Sequence, residues 1–218
     1  MYRALWTKEL REVLGAAAVA MAAYLLLVTS GYATGLAPWS ERSRTIPFLG
    51  ATFMSFFGLI AIALAITQGL KQTVAEGVRE TYLFLLHRPI DWTRLIGVKL
   101  GVGLTTYLVC SAIPILLYAW WAATPGTHPS LFEWSMTARA WQVWGVGSLI
   151  YLGSFLSGLR PGRWFGTRLF PLAASAVGAG GCFALMDSLG LPGVVVLVLL
   201  DSFLVVMILF VATSRDYP

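Results

Sequence analysis

Six long apolar stretches, separated by short polar connections, dominate the pattern of hydrophobic and polar positions along this chain. A helix that crosses the hydrocarbon core of a bilayer needs about 20 mostly apolar residues, so each stretch predicts a transmembrane helix. The six predicted spans are 13–31, 48–70, 95–123, 140–159, 169–186 and 192–213. The predicted fold is an all-α integral membrane protein with six transmembrane helices, forming a single transmembrane domain over residues 1–218.

Composition agrees with this pattern. Hydrophobic residues make up 58% of the chain and charged residues 11%, and the mean hydropathy is +0.77. Soluble domains carry about 25% charged residues, so this chain has too few to cover a surface that faces water. We expect an integral membrane protein, in the bacterial inner (plasma) membrane. The net charge of +5 is small, and basic residues of membrane proteins usually reflect topology, so no nucleic-acid partner is expected.

The basic residues predict the orientation of the helices. If the N-terminus is cytoplasmic, 12 of the 15 lysines and arginines fall on the cytoplasmic side and three fall outside, at positions 42, 44 and 139. Cytoplasmic connections of membrane proteins carry an excess of Lys and Arg. The chain is therefore predicted to have both termini inside (N-in/C-in), with membrane lipids around its helices.

The first 13 residues have an amphipathic pattern. Apolar residues share one helical face and polar residues the opposite one: Tyr2, Leu5, Trp6 and Val13 against Arg3, Thr7, Lys8 and Arg11. This pattern predicts a separate interfacial helix over residues 1–13, lying at the inner membrane surface. The alternative is that these residues simply extend the first span.

A short helix over about residues 74–88 is predicted between the second and third spans. Thr73 and Glu76 have the spacing of a capping box, which predicts a helix start, and Pro89 predicts its end. The helix contains the apolar run Tyr82–Leu86, which is too short to span a membrane. A short helix with an apolar face and charged flanks either lies among lipid headgroups or fits a hydrophobic groove of a partner.

This stretch resembles the cytoplasmic connection of ABC-2 type transporter permeases. The resemblance is carried by Glu76, the run 80–86, Pro89, Arg94 and Lys99. The six-span layout and the basic amphipathic start are also similar to that family. The chain departs from the family pattern where Glu80 replaces a glycine, where the Gly-Lys pair is split by Val98, and in its very short last outer connection, 187–191.

The resemblance implies a function. It implies a transmembrane permease subunit of an ATP-driven exporter, in which the 74–88 helix is the coupling helix that docks on a separate ATPase subunit. The implied docking residues are Arg79, Glu80, Tyr82, Leu83, Phe84, Leu85, His87, Arg88 and Pro89. It further implies a second permease chain, either another copy or a homologous permease.

No phosphate-binding loop of the G-x-x-x-x-G-K-[ST] type occurs in the chain. We therefore expect no cofactor here, with ATP and Mg²⁺ bound by the partner ATPase, and no enzymatic activity in this chain itself. The two histidines and the two cysteines are far apart in sequence, so no metal site is predicted.

Asp201 is an acidic residue deep in the sixth predicted span. A charge near the bilayer centre costs at least about 2.5–3.5 kcal/mol, so this carboxyl must be paired, protonated or exposed to water. One interpretation is a polar site on a transport pathway. The other is a structural hydrogen bond to a neighbouring helix, with Ser202 or Ser175 as candidate partners.

Small residues repeat at four-residue spacing in the fourth span, as Gly153 with Ser157 and Ser154 with Gly158. Such faces allow helix backbones to approach closely. They predict packing within the chain or, alternatively, a homodimer face.

Two other functional classes remain open. One is a non-transporting membrane scaffold or assembly subunit that docks a cytoplasmic partner through the 74–88 helix. The other is an intramembrane enzyme built around Asp201.

Overall fold

Six long α-helices make up almost all of the structure. It is a computed structural model that describes residues 2–35, 47–48, 50–78, 92–125, 132–160 and 167–214. The helices are α1 Tyr2–Gly35, α2 Ala51–Val78, α3 Trp92–Ala123, α4 Ala138–Leu159, α5 Phe170–Leu189 and α6 Leu191–Ser214. A short 3-10 turn, Trp134–Thr137, precedes α4, and the described residues contain no β-strand.

Five of these helices are long and apolar enough to cross a membrane: α1, α2, α3, α5 and α6. The prediction of an all-helical membrane protein is confirmed at this level. Helix α4 coincides with the predicted fourth span but is not among the five, so the six-span count and the orientation stay predictions.

The position of α4 explains its lower hydropathy. It packs against α2, α3, α5 and α6, and every residue from Val146 to Leu159 is buried. A helix surrounded by other helices does not need the apolar surface that lipid contact demands. It can therefore carry the serines and glycines that close helix packing requires.

Close packing on α4 accounts for its small residues. A β-carbon at Gly69 of α2 would collide with Ser154, and one at Gly158 would collide with Thr73 of α2. A β-carbon at Gly153 would likewise collide with Ser175 of α5. The small residues of the fourth span therefore pack within the chain, which was the first of the two predicted alternatives.

The separate interfacial helix predicted over residues 1–13 is not found. Residues 2–35 form one continuous helix. Between residues 5 and 31, where burial is described, the buried positions are Glu9, Val13, Ala17, Ala20, Tyr24 and Val28. Because this stripe continues at helical spacing through residue 13, α1 packs against α2 and α3 along its length. The alternative, that the first residues extend the first span, describes the structure.

The second helix also runs further than predicted. It continues through Val78, and Thr73 lies inside it, buried, with its hydroxyl donating to the Gly69 carbonyl at 2.9 Å. Thr73 is therefore not an N-cap, because a residue bonded to the carbonyl four positions earlier continues a helix. Residues 74–78 of the predicted short helix belong to α2, and residues 79–88 lie outside the described residues.

The bundle has two chemically different ends. We call the end at which α1 begins the inner end, after the predicted orientation, and the opposite one the outer end. At the outer end α5 and α6 are joined through Gly190 alone, whose φ of 68° is in the left-handed region that glycine adopts without strain. The predicted short connection at 187–191 is confirmed.

Candidate functional site

A buried ion pair joins α1 and α3 near the inner end. The Nζ atom of Lys99 lies 3.0 Å from each carboxylate oxygen of Glu9. Both side chains are 0% exposed. The Lys99 ammonium donates a hydrogen bond to Oε2, and Oε1 is held at ion-pair distance. Charges removed from solvent are costly unless they are paired, so this ion pair is what allows both residues to be buried.

Helix periodicity places Glu9 in the interior. It lies four residues before Val13, which begins the apolar part of the buried stripe of α1. Lys8 and Glu12 are more exposed and lie 3.8 Å apart, Nζ to Oε1. Neighbouring acidic residues of one helix thus have different environments because they lie on different faces.

Lys99 occupies an equivalent position on α3. Glu9 is seven residues from the start of α1, and Lys99 is seven residues from the start of α3. At about 1.5 Å per residue, both lie about 10 Å along their helices from the inner end. The two charges therefore meet at matching depths.

Hydrogen bonds extend the ion pair to α2 and α4. The amide nitrogen of Gln72 donates to the Lys99 carbonyl at 2.9 Å, and the Tyr151 hydroxyl donates to the amide oxygen of Gln72 at 2.7 Å. A β-carbon at Gly103 would overlap both the Gln72 amide and the Tyr151 hydroxyl. We call Glu9, Gln72, Lys99 and Tyr151 the inner polar cluster, and it connects four helices.

A second glutamine lies one helical turn from Gln72. Gln68 is 1% exposed, and among the described residues its side-chain amide has no hydrogen-bond partner. It lines a narrow crevice between α1 and α2 together with Glu12 and Gln72. An unpaired buried amide costs about 1–3 kcal/mol, so a partner for Gln68 would offset part of the free-energy cost of a rearrangement of α1.

The chemistry of the inner polar cluster is that of a connection between helices. The Lys99 ammonium is engaged by a carboxylate, and the cluster contains no thiol or histidine. Replacing a buried ion pair by apolar residues is often neutral for stability, whereas removing one partner is strongly destabilising. Such a pair can therefore fix the register of α1 against α3 more than it adds to total stability.

Aromatic rings fill the outer end. The Phe53 ring stacks on Tyr118 at 4.5 Å between centroids, and Phe48 lies 4.9 Å from Tyr118. We call Tyr24, Phe48, Phe53, Phe57, Tyr118, Trp121 and Phe132 the outer aromatic cluster. Phe48 has φ 63°, which is unfavourable for a residue other than glycine, and its ring is 1% exposed. Ring packing holds this backbone conformation in place.

Asp201 contacts α4. Its Oδ2 atom accepts a hydrogen bond of 2.6 Å from the Ser148 hydroxyl, and among the described residues its buried Oδ1 atom has no hydrogen-bond partner. The candidate partners Ser202 and Ser175 are wrong: neither hydroxyl contacts Asp201, and they donate instead to the carbonyls of Val198 and Leu172. The Ser148 hydroxyl lies 2.6 Å both from Asp201 Oδ2 and from the Gly145 carbonyl oxygen. Residues three or four positions earlier in the same helix satisfy those serines, as is common for helical hydroxyls.

The nine implied docking residues, Arg79, Glu80, Tyr82, Leu83, Phe84, Leu85, His87, Arg88 and Pro89, lie outside the described residues. The structure does describe the two helices that lead into and out of that segment, α2 and α3. Asp201 is on α6, apart from the inner polar cluster in the hydrogen bonds described.

Within the described ranges, no three His, Cys, Asp or Glu residues come together in a way that could hold a metal ion. Both cysteines, Cys110 and Cys182, are free.

No protein-family model, curated protein or solved structure matches this chain. A functional interpretation must therefore come from its own residues.

The inner polar cluster was missed at the level of sequence. The signal for Glu9 was its place four residues before Val13, on the same helical stripe. Lys99 is part of the family motif and at the same time lies within the apolar helix 93–123. Two opposite charges just inside two apolar helices, at matching distances from the same side, are a readable sign of an interhelical pair.

Proposed function

We propose that this chain is the transmembrane permease subunit of an ATP-driven exporter of the ABC-2 type. ATP and Mg²⁺ bind to a separate ATPase subunit, and a second permease chain completes the membrane part. The segment 79–89 is the docking contact. Tyr82, Phe84 and Leu85 fill a groove of the ATPase, while Arg79, Glu80 and Arg88 pair with charges at its rim.

One observation supports this proposal most directly. The bond from Gln72 to the Lys99 carbonyl joins α2 and α3, the helices on either side of the segment 79–91. A force applied to that segment acts on both helices at once because their ends are tied together. Lys99 passes the displacement to α1 through Glu9, and Gln72 passes it to α4 through Tyr151.

The physical character of the inner polar cluster suits a relay. Packed interfaces and buried polar networks change between discrete arrangements more readily than they deform continuously. ATP binding and hydrolysis on the partner would move the docking segment. The cluster would turn that movement into a shift of four helices and so change access to the transport pathway.

The docking role is tested by co-purification. The full chain is expressed in the cells from which it comes, and the membranes are extracted in mild detergent. The proteins that co-purify with it are identified by mass spectrometry. We expect an ATPase with a phosphate-binding loop to co-purify with the wild type and to be lost from Phe84→Asp. Trp134→Asp is the matched control, because Trp134 is an aromatic residue 63% exposed near the outer end.

An ATPase that remains bound to Phe84→Asp contradicts the docking contact. Capture of a specific cytoplasmic protein without ATPase activity would favour the scaffold function. The relay is tested separately with Gln72→Met, for which we expect the ATPase to remain bound while its stimulation by the permease falls.

A further inference from the structure

An apolar groove lies between α5 and α6 over α4. Its volume is about 320 Å³. Buried residues of α4, among them Leu149 and Leu156, form its floor, and Ala174 of α5 and Phe203 of α6 line its walls. Arg160, which follows the last residue of α4, lines its inner end.

The groove has the length of one membrane leaflet. Leu149 and Arg160 are eleven residues apart, which is about 16 Å along a helix. This is about half of the ~30 Å hydrocarbon core of a bilayer. The lining residues of α5 lie in its first half, and those of α6 lie between Leu200 and Met207. The groove therefore occupies the leaflet on the inner side.

The width of the groove distinguishes between possible occupants. A volume of about 320 Å³ over about 16 Å gives a mean cross-section of about 20 Å². A helix with side chains is about 10 Å across and would need several times that area. One extended acyl chain is a better fit than a helix of a second copy.

The charge at the inner end selects the headgroup. Between Leu149 and Met186 the sequence contains arginines at 160, 163 and 168 and no acidic residue. Arg168 already donates to the carbonyls of Ser157 and Gly158 at the end of α4. Arg160 lines the mouth of the groove, and guanidinium groups match phosphate oxygens in a bidentate geometry.

We propose that this groove binds an anionic glycerophospholipid of the inner leaflet. One acyl chain lies on Leu149 and Leu156, and the phosphate accepts hydrogen bonds from Arg160. Such a lipid would fill the space between α5 and α6 and hold both helices against α4. This site does not depend on the proposed transport function.

The test measures lipid binding to the full chain with two pairs of variants. Delipidated protein in mild detergent is titrated with phosphatidylglycerol, and separately with phosphatidylcholine, and bound lipid is counted by native mass spectrometry. Ala174→Phe blocks the groove, whereas Ala173→Phe is the matched control, because Ala173 is also exposed on α5 but is not part of the lining. Arg160→Gln is compared with Arg139→Gln, whose arginine pairs with Asp187 near the outer end.

We expect Ala174→Phe to remove the tightest phosphatidylglycerol and Ala173→Phe to retain it. Arg160→Gln should weaken phosphatidylglycerol binding about fivefold, the effect of one basic group near an anionic headgroup, and Arg160→Lys should restore most of it. Arg139→Gln should bind like the wild type, and phosphatidylcholine should bind more weakly to all proteins with an intact groove.

Equal binding by the two alanine variants would overturn the groove as the site. Equal losses for the two arginine variants would overturn the phosphate contact. A change of oligomeric state in Ala174→Phe, with lipid binding unchanged, would assign the groove to a second copy of the chain and overturn the proposal. Circular dichroism and size-exclusion profiles identify any variant that fails to fold. If a variant of one pair fails, lipid binding by the other pair of variants tests the proposal.

Discussion

The inner and outer ends of the bundle are held together by different interactions. At the inner end, Glu9, Lys99, Gln72 and Tyr151 make directional contacts at 2.7–3.0 Å between four helices. At the outer end, rings pack with centroids 4.5–6.3 Å apart and varied interplanar angles. Directional contacts define one register, whereas ring packing gains energy over a range of offsets.

This difference matters because lipid tails are as apolar as a protein core. Association of apolar surfaces therefore provides little driving force between helices in a membrane, and polar contacts and close packing decide which helices pair. The inner end has the polar contacts that specify which helices pair. The outer end has the features that close the bundle against lipid and water.

The largest expected effect is at the inner polar cluster. Lys99→Met removes the closest counter-charge of the buried Glu9 carboxylate and leaves it only the Lys8 ammonium at 3.9 Å. We expect the free energy of unfolding to fall by about 3–5 kcal/mol. The double variant Glu9→Gln with Lys99→Met should recover most of this loss, because no buried charge remains. SDS-induced unfolding followed by circular dichroism measures both.

Lys8→Met is the control for that pair. Lys8 is 46% exposed in its side chain and makes weak contacts with Glu9 and Glu12, so the change should be below about 1 kcal/mol. A double variant as unstable as Lys99→Met would contradict the assignment of the loss to an unpaired charge.

A smaller loss is expected at the outer aromatic cluster. Phe57 is 0% exposed, and Phe57→Ala should cost about 2 kcal/mol, mainly through the cavity it leaves, since the transfer contribution is weak in a membrane. Phe57→Leu should cost less. The same unfolding assay applies, and a loss as large as that of Lys99→Met would remove the contrast between the two ends.

Two tyrosine variants compare single hydroxyl groups. Tyr151→Phe removes the donor to Gln72 and leaves a buried amide oxygen unpaired, so we expect a loss of about 1 kcal/mol. Tyr24→Phe should be neutral, since the buried Tyr24 hydroxyl has no hydrogen-bond partner among the described residues. Thermal unfolding of both variants in one detergent gives the comparison, and equal losses would count against the inner polar cluster as a satisfied network.

The smallest expected change in stability is at the hydrogen bond between Ser148 and Asp201. Hydrogen bonds between membrane helices average about 0.6 kcal/mol, so Ser148→Ala should lower stability by about that amount. Asp201→Asn keeps an acceptor for the Ser148 hydroxyl and should be closer to the wild type. Stability is read from SDS-induced unfolding, and transport or ATPase stimulation from the complex. A large loss of activity in Asp201→Asn with stability unchanged would assign the carboxyl a functional role.

Hydrophobic periodicity predicted most of the helices because crossing a membrane imposes a length and a polarity on each one. All six predicted spans overlap helices, α1 to α6 in order. The errors concern helix ends. The polar residues at 1–13 and 70–78 led to the prediction that helices break there. In the structure Glu9 and Thr73 are instead buried polar residues inside continuous helices. A polar residue inside a helix cannot be distinguished from one at its end without knowing its partner.

The sequence by itself determined that this is an apolar, all-helical membrane protein, and it indicated the small residues through which α4 packs. These follow from composition and from periodicity along one chain. Tertiary structure alone decided that Glu9 meets Lys99, that Asp201 meets Ser148, and that α4 is the central helix. Glu9 and Lys99 are 90 residues apart in the sequence, and Ser148 and Asp201 are 53 apart. Over such distances the rotation and depth of each helix select the partner, and no local sequence pattern does.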